Sequence, residues 1–146
     1  MSKFICQVML GLVLTLAALA TTMSANAQTI PDLRGTWKGD SESIVLGGGN
    51  IHHTPAQSSE EPEFRSLPFT FTVDKQDGRR FSGTFASPRS SSKAIAVVAR
   101  TGTIYLVDAE GFTQGTLIAA NQMELCYLKQ SPDARLASCV LLTKQP

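Results

Sequence analysis

The chain has 146 residues, 42% hydrophobic and 17% charged, with 13 basic residues against 12 acidic ones. That is the length of one domain, and a balance so close to neutral excludes the basic face of a nucleic-acid binder or of a protein that coats anionic membranes. With Lys3 set aside the two signs cancel.

Lys3, the apolar run over residues 8–20, Thr21-Thr22 and the small triplet Ala25-Asn26-Ala27 follow one another in the order of a secretory signal peptide. Cleavage is expected after Ala27. A membrane anchor is the competing reading, but the run is short of the ~20 residues that cross a bilayer. Cys6 precedes the run, so a lipid-bearing cysteine at the cleavage point is not expected. Residues 28–146 then form one exported domain, periplasmic or secreted, with no membrane partner after cleavage. The chain carries no Asn-x-Ser/Thr sequon, which favours a bacterial periplasm over a eukaryotic route.

The first two strands are expected over residues 34–39 and 43–46. Residues 47–66 have no usable period and are rich in Gly, Ser, Pro and Glu. A loop of that length is either functional or disordered, and its composition predicts mobility. Phe69-Thr70-Phe71-Thr72-Val73 alternates as a half-buried strand does. Asp77-Gly78 is a hairpin signal. In the following strand Phe81 and Phe85 share a face, and Gly83 between them leaves room for a neighbour.

Residues 87–92 read as a loop, and the strands 94–99 and 104–107 flank Thr101-Gly102. A two-residue turn there would set Ala99 against Ile104, Val97 against Leu106 and Val98 against Tyr105. Both strands are apolar on both faces, so one set must lie outside. An exposed patch of that kind marks a contact surface and predicts a homodimer or cover from the N-terminal arm. Strands over 112–118, 123–128 and 136–143 complete the chain.

Eight or nine strands with turns every 8–12 residues and no convincing helical period indicate an all-β antiparallel fold. Closure into an up-and-down barrel of about eight strands removes the edges that an open sheet would expose. A two-sheet sandwich is the alternative.

Cys126 and Cys139 are the two cysteines of the domain. Opposed residues of an antiparallel hairpin have numbers of constant sum, and pairing these two centres the turn between Pro132 and Asp133. Ser131-Pro132-Asp133-Ala134 has the turn chemistry of a type I turn. A structural disulfide is therefore expected, with Glu124 opposite Leu141 and Leu128 opposite Ala137.

Chemistry is sparse. His52 and His53 with Glu60, Glu61 and Glu63 are metal-ligating residue types. Adjacent histidines on extended backbone point to opposite sides, however, so a solvated loop is expected and no metal. Gly47-Gly48-Gly49 lacks the Gly-Lys-Ser/Thr of a phosphate cradle. There is no Gly-x-Ser-x-Gly elbow, and no third acid/base partner is visible near either histidine for a triad. No catalytic residue, no enzyme activity and no cofactor are expected.

Gly35-Thr36-Trp37 resembles the Gly-x-Trp signature that opens the first strand of lipocalins and avidins, the calycin barrels. The resemblance implies that Trp37 closes one barrel end. This chain departs from the avidins in having a single tryptophan, which argues against biotin. Together with Gln76-Asp77-Gly78-Arg79-Arg80-Phe81 and Glu124-Leu125-Cys126-Tyr127, the pattern also resembles small uncharacterised exported proteins of proteobacteria.

Two functions remain. In the first, a small apolar or amphipathic ligand occupies the barrel, lined by Trp37, Phe69, Phe71, Phe81 and Phe85, with the loop 47–66 over the mouth. In the second, the barrel is filled and the protein is a binding module for another exported protein, such as a hydrolase inhibitor. A cavity of several hundred Å³ would favour the first, and a packed interior the second.

Overall fold

The computed structural model describes residues 30–53 and 60–146; the signal-peptide reading of residues 1–27 lies outside the described residues. Eight strands make a closed antiparallel barrel in sequence order: β1 (Gly35–Gly47), β2 (Glu63–Asp77), β3 (Arg80–Ala86), β4 (Ser91–Val98), β5 (Thr103–Asp108), β6 (Gly111–Ala119), β7 (Gln122–Ser131) and β8 (Ala134–Lys144). The barrel closes where β1 pairs with β8, Ile44 facing Ala137 and Val45 facing Leu136.

The two strands expected over 34–39 and 43–46 are one. Ser41 and Ser43 point inward and interrupt the apolar alternation, which is why the sequence reads as broken. Both are buried. Ser41 Oγ lies 3.3 Å from Ser43 Oγ, and Ser43 donates to Ser138 Oγ at 2.8 Å. Buried hydroxyls paired in this way avoid the cost of desolvation.

The core lies inside the barrel, built from every second residue of each strand. Trp37, Phe71, Ile104, Met123 and Leu142 have no exposed surface at all. One end is closed by Trp37, whose Nε1 donates to Leu33 O at 2.8 Å. Leu33 is anchored by Gln76 Oε1 at 2.6 Å, and Lys144 Nζ lies 5.8 Å from the Trp37 ring centre. Residues 30–34, the described part of the N-terminal arm, pack across this end.

Gly83 is one of the places where neighbouring strands leave no room for a side chain. A Cβ built there would lie 2.0 Å from Thr72 O on β2, so any side chain would force the two strands apart.

The β7–β8 hairpin has the expected register: Cys126 faces Cys139, Glu124 faces Leu141 and Leu128 faces Ala137. The disulfide between Cys126 and Cys139 spans a Cα–Cα distance of 4.1 Å on the outer barrel face. A cross-link of this kind belongs to a non-cytoplasmic environment.

The β4–β5 register differs by one residue from the expected one: Val98 faces Ile104, and Val97 faces Tyr105. The turn holds three residues, not two. Gly102 N donates to Ala99 O at 3.0 Å, and Ala99 N donates to Thr103 O at 2.7 Å. Gly102, at φ +86°, supplies the left-handed residue that follows the type I turn in a three-residue hairpin loop. Val98, Ile104 and Leu106 are consequently buried together, and Ile95, Val97, Tyr105 and Val107 face out.

Candidate functional site

The end opposite Trp37 is built from the connections β1–β2, β3–β4, β5–β6 and β7–β8. Beyond β1 the chain turns back over this mouth because Asn50 Oδ1 accepts the backbone N–H of both His52, at 3.0 Å, and His53, at 2.7 Å. A side chain that captures the backbone two and three residues on makes a tight local turn. The histidines therefore do not splay to opposite sides as extended backbone would require. Both rings pack on Phe69, with centroid distances of 5.3 Å for His52 and 5.6 Å for His53. Nor is this part of the loop solvated: His52 is 4% exposed and His53 3%. The middle of the loop, residues 54–59, lies outside the described residues.

His53 Nε2 lies 2.8 Å from Ser43 Oγ and its Nδ1 3.3 Å from Asn50 Oδ1. Ser, His and Asn in that order are the parts of a nucleophile, a base and its orienting group. The hydrogen bonds run the other way. Ser43 has one hydrogen and gives it to Ser138, so it accepts from His53. A serine that accepts from its histidine is not being deprotonated by it. Burial, reinforced by His52 and Arg65, holds the His53 pKa down to about 4, which makes the ring a weak base. The cluster satisfies buried hydroxyls.

His52 is different. Its Nδ1 lies 2.9 Å from Ser87 Oγ, but its Nε2 is buried without a hydrogen-bond partner among the described residues. Burial lowers the His52 pKa, and the nearby carboxylates of Asp108 and Glu110 act against that. Asp108 is fixed by Ser92 Oγ at 2.7 Å and by the N–H groups of Glu110 at 2.9 Å and Gly111 at 3.2 Å. Tyr127 donates to Glu110 O at 3.0 Å, and burial raises its pKa. These groups surround a cavity of about 40 Å³ floored by Phe69 and Phe85. No set of three metal-ligating side chains comes together among the described residues. Glu60 and Glu61 are exposed, and Glu63 pairs with Arg65.

Of the five aromatics named from the sequence, Phe69 and Phe85 face this cavity and stack at 4.8 Å. Phe71 and Phe81 pack behind them, with Phe71 5.7 Å from Phe85 and 6.1 Å from Phe81. Trp37 sits at the closed end. The sequence alone does not join Asn50, Ser43, Ser138, Asp108, Glu110 and Tyr127 to these aromatics. Asn50 shortly before the histidine pair and Asp108 shortly before Gly111 carry a local turn signal. The inward serines carry none.

A second feature lies on the outer wall. Ile95, Val97, Tyr105, Val107 and Phe112 are all exposed large apolar side chains. They are contiguous across three strands, since Ile95 faces Val107 and Val107 faces Phe112. The rings of Tyr105 and Phe112 stack at 6.1 Å. Ile95, Val97, Tyr105 and Val107 floor an open groove of about 840 Å³ whose rim includes Arg34, Asp74, Lys75, Asp77 and Arg80.

No protein-family model matches the chain. It is similar to the protein named rot1 of Aspergillus niger, 28% identical over 116 residues, which is 80% of this chain and 47% of that one. The chain thus spans about half the length of the curated relative it matches. Among solved structures it is similar to a redesigned β-barrel at a TM-score of 0.42 and 12% identity, over 86% of this chain and 100% of the other.

Proposed function

We propose that the protein is an exported, non-enzymatic module that binds another protein through the outer face of β4, β5 and β6. The observation that carries this reading is the contiguous exposed set Ile95, Val97, Tyr105, Val107 and Phe112. Sheet walls that face only water have no use for five large apolar side chains in one patch. An apolar centre with a charged rim of mixed sign is also the anatomy of a protein interface. The filled interior supports the same choice over a ligand inside the barrel: about 40 Å³ is far below the roughly 300–1,000 Å³ of pockets that enclose small molecules. The apolar run over residues 8–20 and the disulfide support export, to a periplasm or the cell exterior.

The test is the double variant V97K/Y105E. The two positions face each other, so the new charges form an opposite-sign cross-strand pair that a sheet tolerates. Wild type and variant are used to capture proteins from the compartment of the host that holds the chain. The reading requires a protein retained by wild type and lost from a folded variant. Identical capture by both overturns it.

A further inference from the structure

We propose that the outer face of β2, β1, β8 and β7 is the contact through which two copies of the chain form a two-fold dimer. In the ring of eight strands β1 and β8 lie opposite β5 and β4. This face is therefore distinct from the one assigned above to another protein, and the inference does not rest on that assignment.

The register supplies the starting observation. Phe64 faces Ile44, Ile44 faces Ala137 and Ala137 faces Leu128, so one outward row of apolar residues crosses all four strands. Phe64 is 83% exposed and Leu128 72%, the two highest values among the large apolar side chains described. Ala137, the small member between Ile44 and Leu128, leaves a notch in the row. Those three residues, with Leu46, Pro62 and Arg135, line an open groove of about 550 Å³. A contiguous apolar surface of this kind, with polar residues beside it, marks a contact.

Charge selects the occupant. Glu42 on β1 and Arg135 on β8 flank the row on opposite sides, Glu42 towards the closed end and Arg135 towards the mouth. Both are exposed, and neither has an ion-pair partner among the described residues. They cannot pair within one chain. Glu42 faces Cys139, four residues from Arg135, a separation of about 13 Å at roughly 3.3 Å per residue. A two-fold axis lying in the contact and running along the row carries Glu42 across it, to the level of the partner's Arg135. The two then stand one strand apart, about 4.8 Å sideways, within reach of both side chains. Symmetry makes this pair twice, with apolar row against apolar row between the pairs. An isologous contact requires a surface complementary to itself. An acid and a base set on opposite sides of one apolar row meet that requirement, so a second copy of the chain already carries the matching surface.

The experiment is sedimentation velocity on the oxidised protein purified from its native compartment, from micromolar to near-millimolar concentration. Wild type should pass from monomer to dimer within that range. E42R and R135E should each weaken the dimer about tenfold or more, because each turns both symmetric attractions into repulsions. The double variant E42R/R135E, with the pair reversed, should dimerise as wild type does. L128S should weaken the dimer without any change of charge, and V97K/Y105E, on the opposite face, should leave it intact. The wild-type and V97K/Y105E results stand even where a variant of the proposed face fails to fold. A monomer at the highest concentration gives the face to a different occupant and overturns the inference. So does a dimer that resists the single charge changes and L128S, one that E42R/R135E does not restore, or one that V97K/Y105E abolishes.

Discussion

Replacing both cysteines, C126A/C139A, is expected to cost stability without disturbing either candidate surface. The two residues are 13 apart in sequence. In the chain-entropy model a cross-link closing a loop of that size removes about 3 kcal/mol of freedom from the unfolded chain. Folded-state losses add little, because the pair lies on the outer wall, with Cys139 exposed and Cys126 half-buried. Unfolding entropy near 2.1 cal/mol/K per residue, for a domain of roughly 120 residues, is about 0.25 kcal/mol/K. The melting temperature should therefore fall by about 12 °C. Scanning calorimetry on oxidised wild type and on the variant measures this directly, and wild type in reductant should follow the variant. A fall of less than about 3 °C would refute the reasoning: the unfolded hairpin would then already hold its ends together without the bridge.

G83A should destabilise the fold by about 2 kcal/mol or more, since a Cβ at 2.0 Å from a backbone oxygen cannot be relieved by rotating a side chain; a urea midpoint equal to that of wild type contradicts the close β2–β3 approach. S43A leaves His53 Nε2 without its hydroxyl and should cost about 1–3 kcal/mol, the penalty of one unsatisfied buried polar group. S41A, which removes only the longer contact, should cost less, and the reverse order in denaturant titration would refute the assigned network. Stability should also fall with acid. His53 has a folded-state pKa of about 4 against 6.5 for the free side chain, so between those values the unfolded chain binds the extra proton. Its contribution is full above pH 6.5 and is lost as the pH falls towards 4. Urea midpoints across that range should drop in wild type and drop less in H53Q; equal slopes would contradict the burial of His53.

The parts of the fold that were legible depend on local chemistry. The β7–β8 register could be derived because two independent signals, the cysteine pair and the turn at Pro132-Asp133, give the same number sum. Gly102 marked the β4–β5 turn but not its length, because a glycine suits either the second place of a two-residue turn or the third place of a three-residue one. One residue of difference changed every pair along that hairpin. The two inward serines of β1 hid a continuous strand. Their justification is Ser138, 95 residues away from Ser43, which no local pattern can supply. The mouth was hidden for the same reason: His52, Asp108 and Glu110 come to line one cavity only because the barrel closes. Asn50 was a readable signal, since a side chain that caps two successive N–H groups forbids the extended backbone on which the histidines would diverge.

The central claim is that the wall formed by β4, β5 and β6 is a protein-binding surface. A photo-crosslinking residue placed at position 97, on that wall, and at position 38, exposed on β1, tests it most directly when each protein is irradiated in its native compartment. The account predicts a discrete adduct with a different protein from position 97, identified by mass, and none from position 38. No adduct from position 97, or the same adducts from both positions, would contradict it.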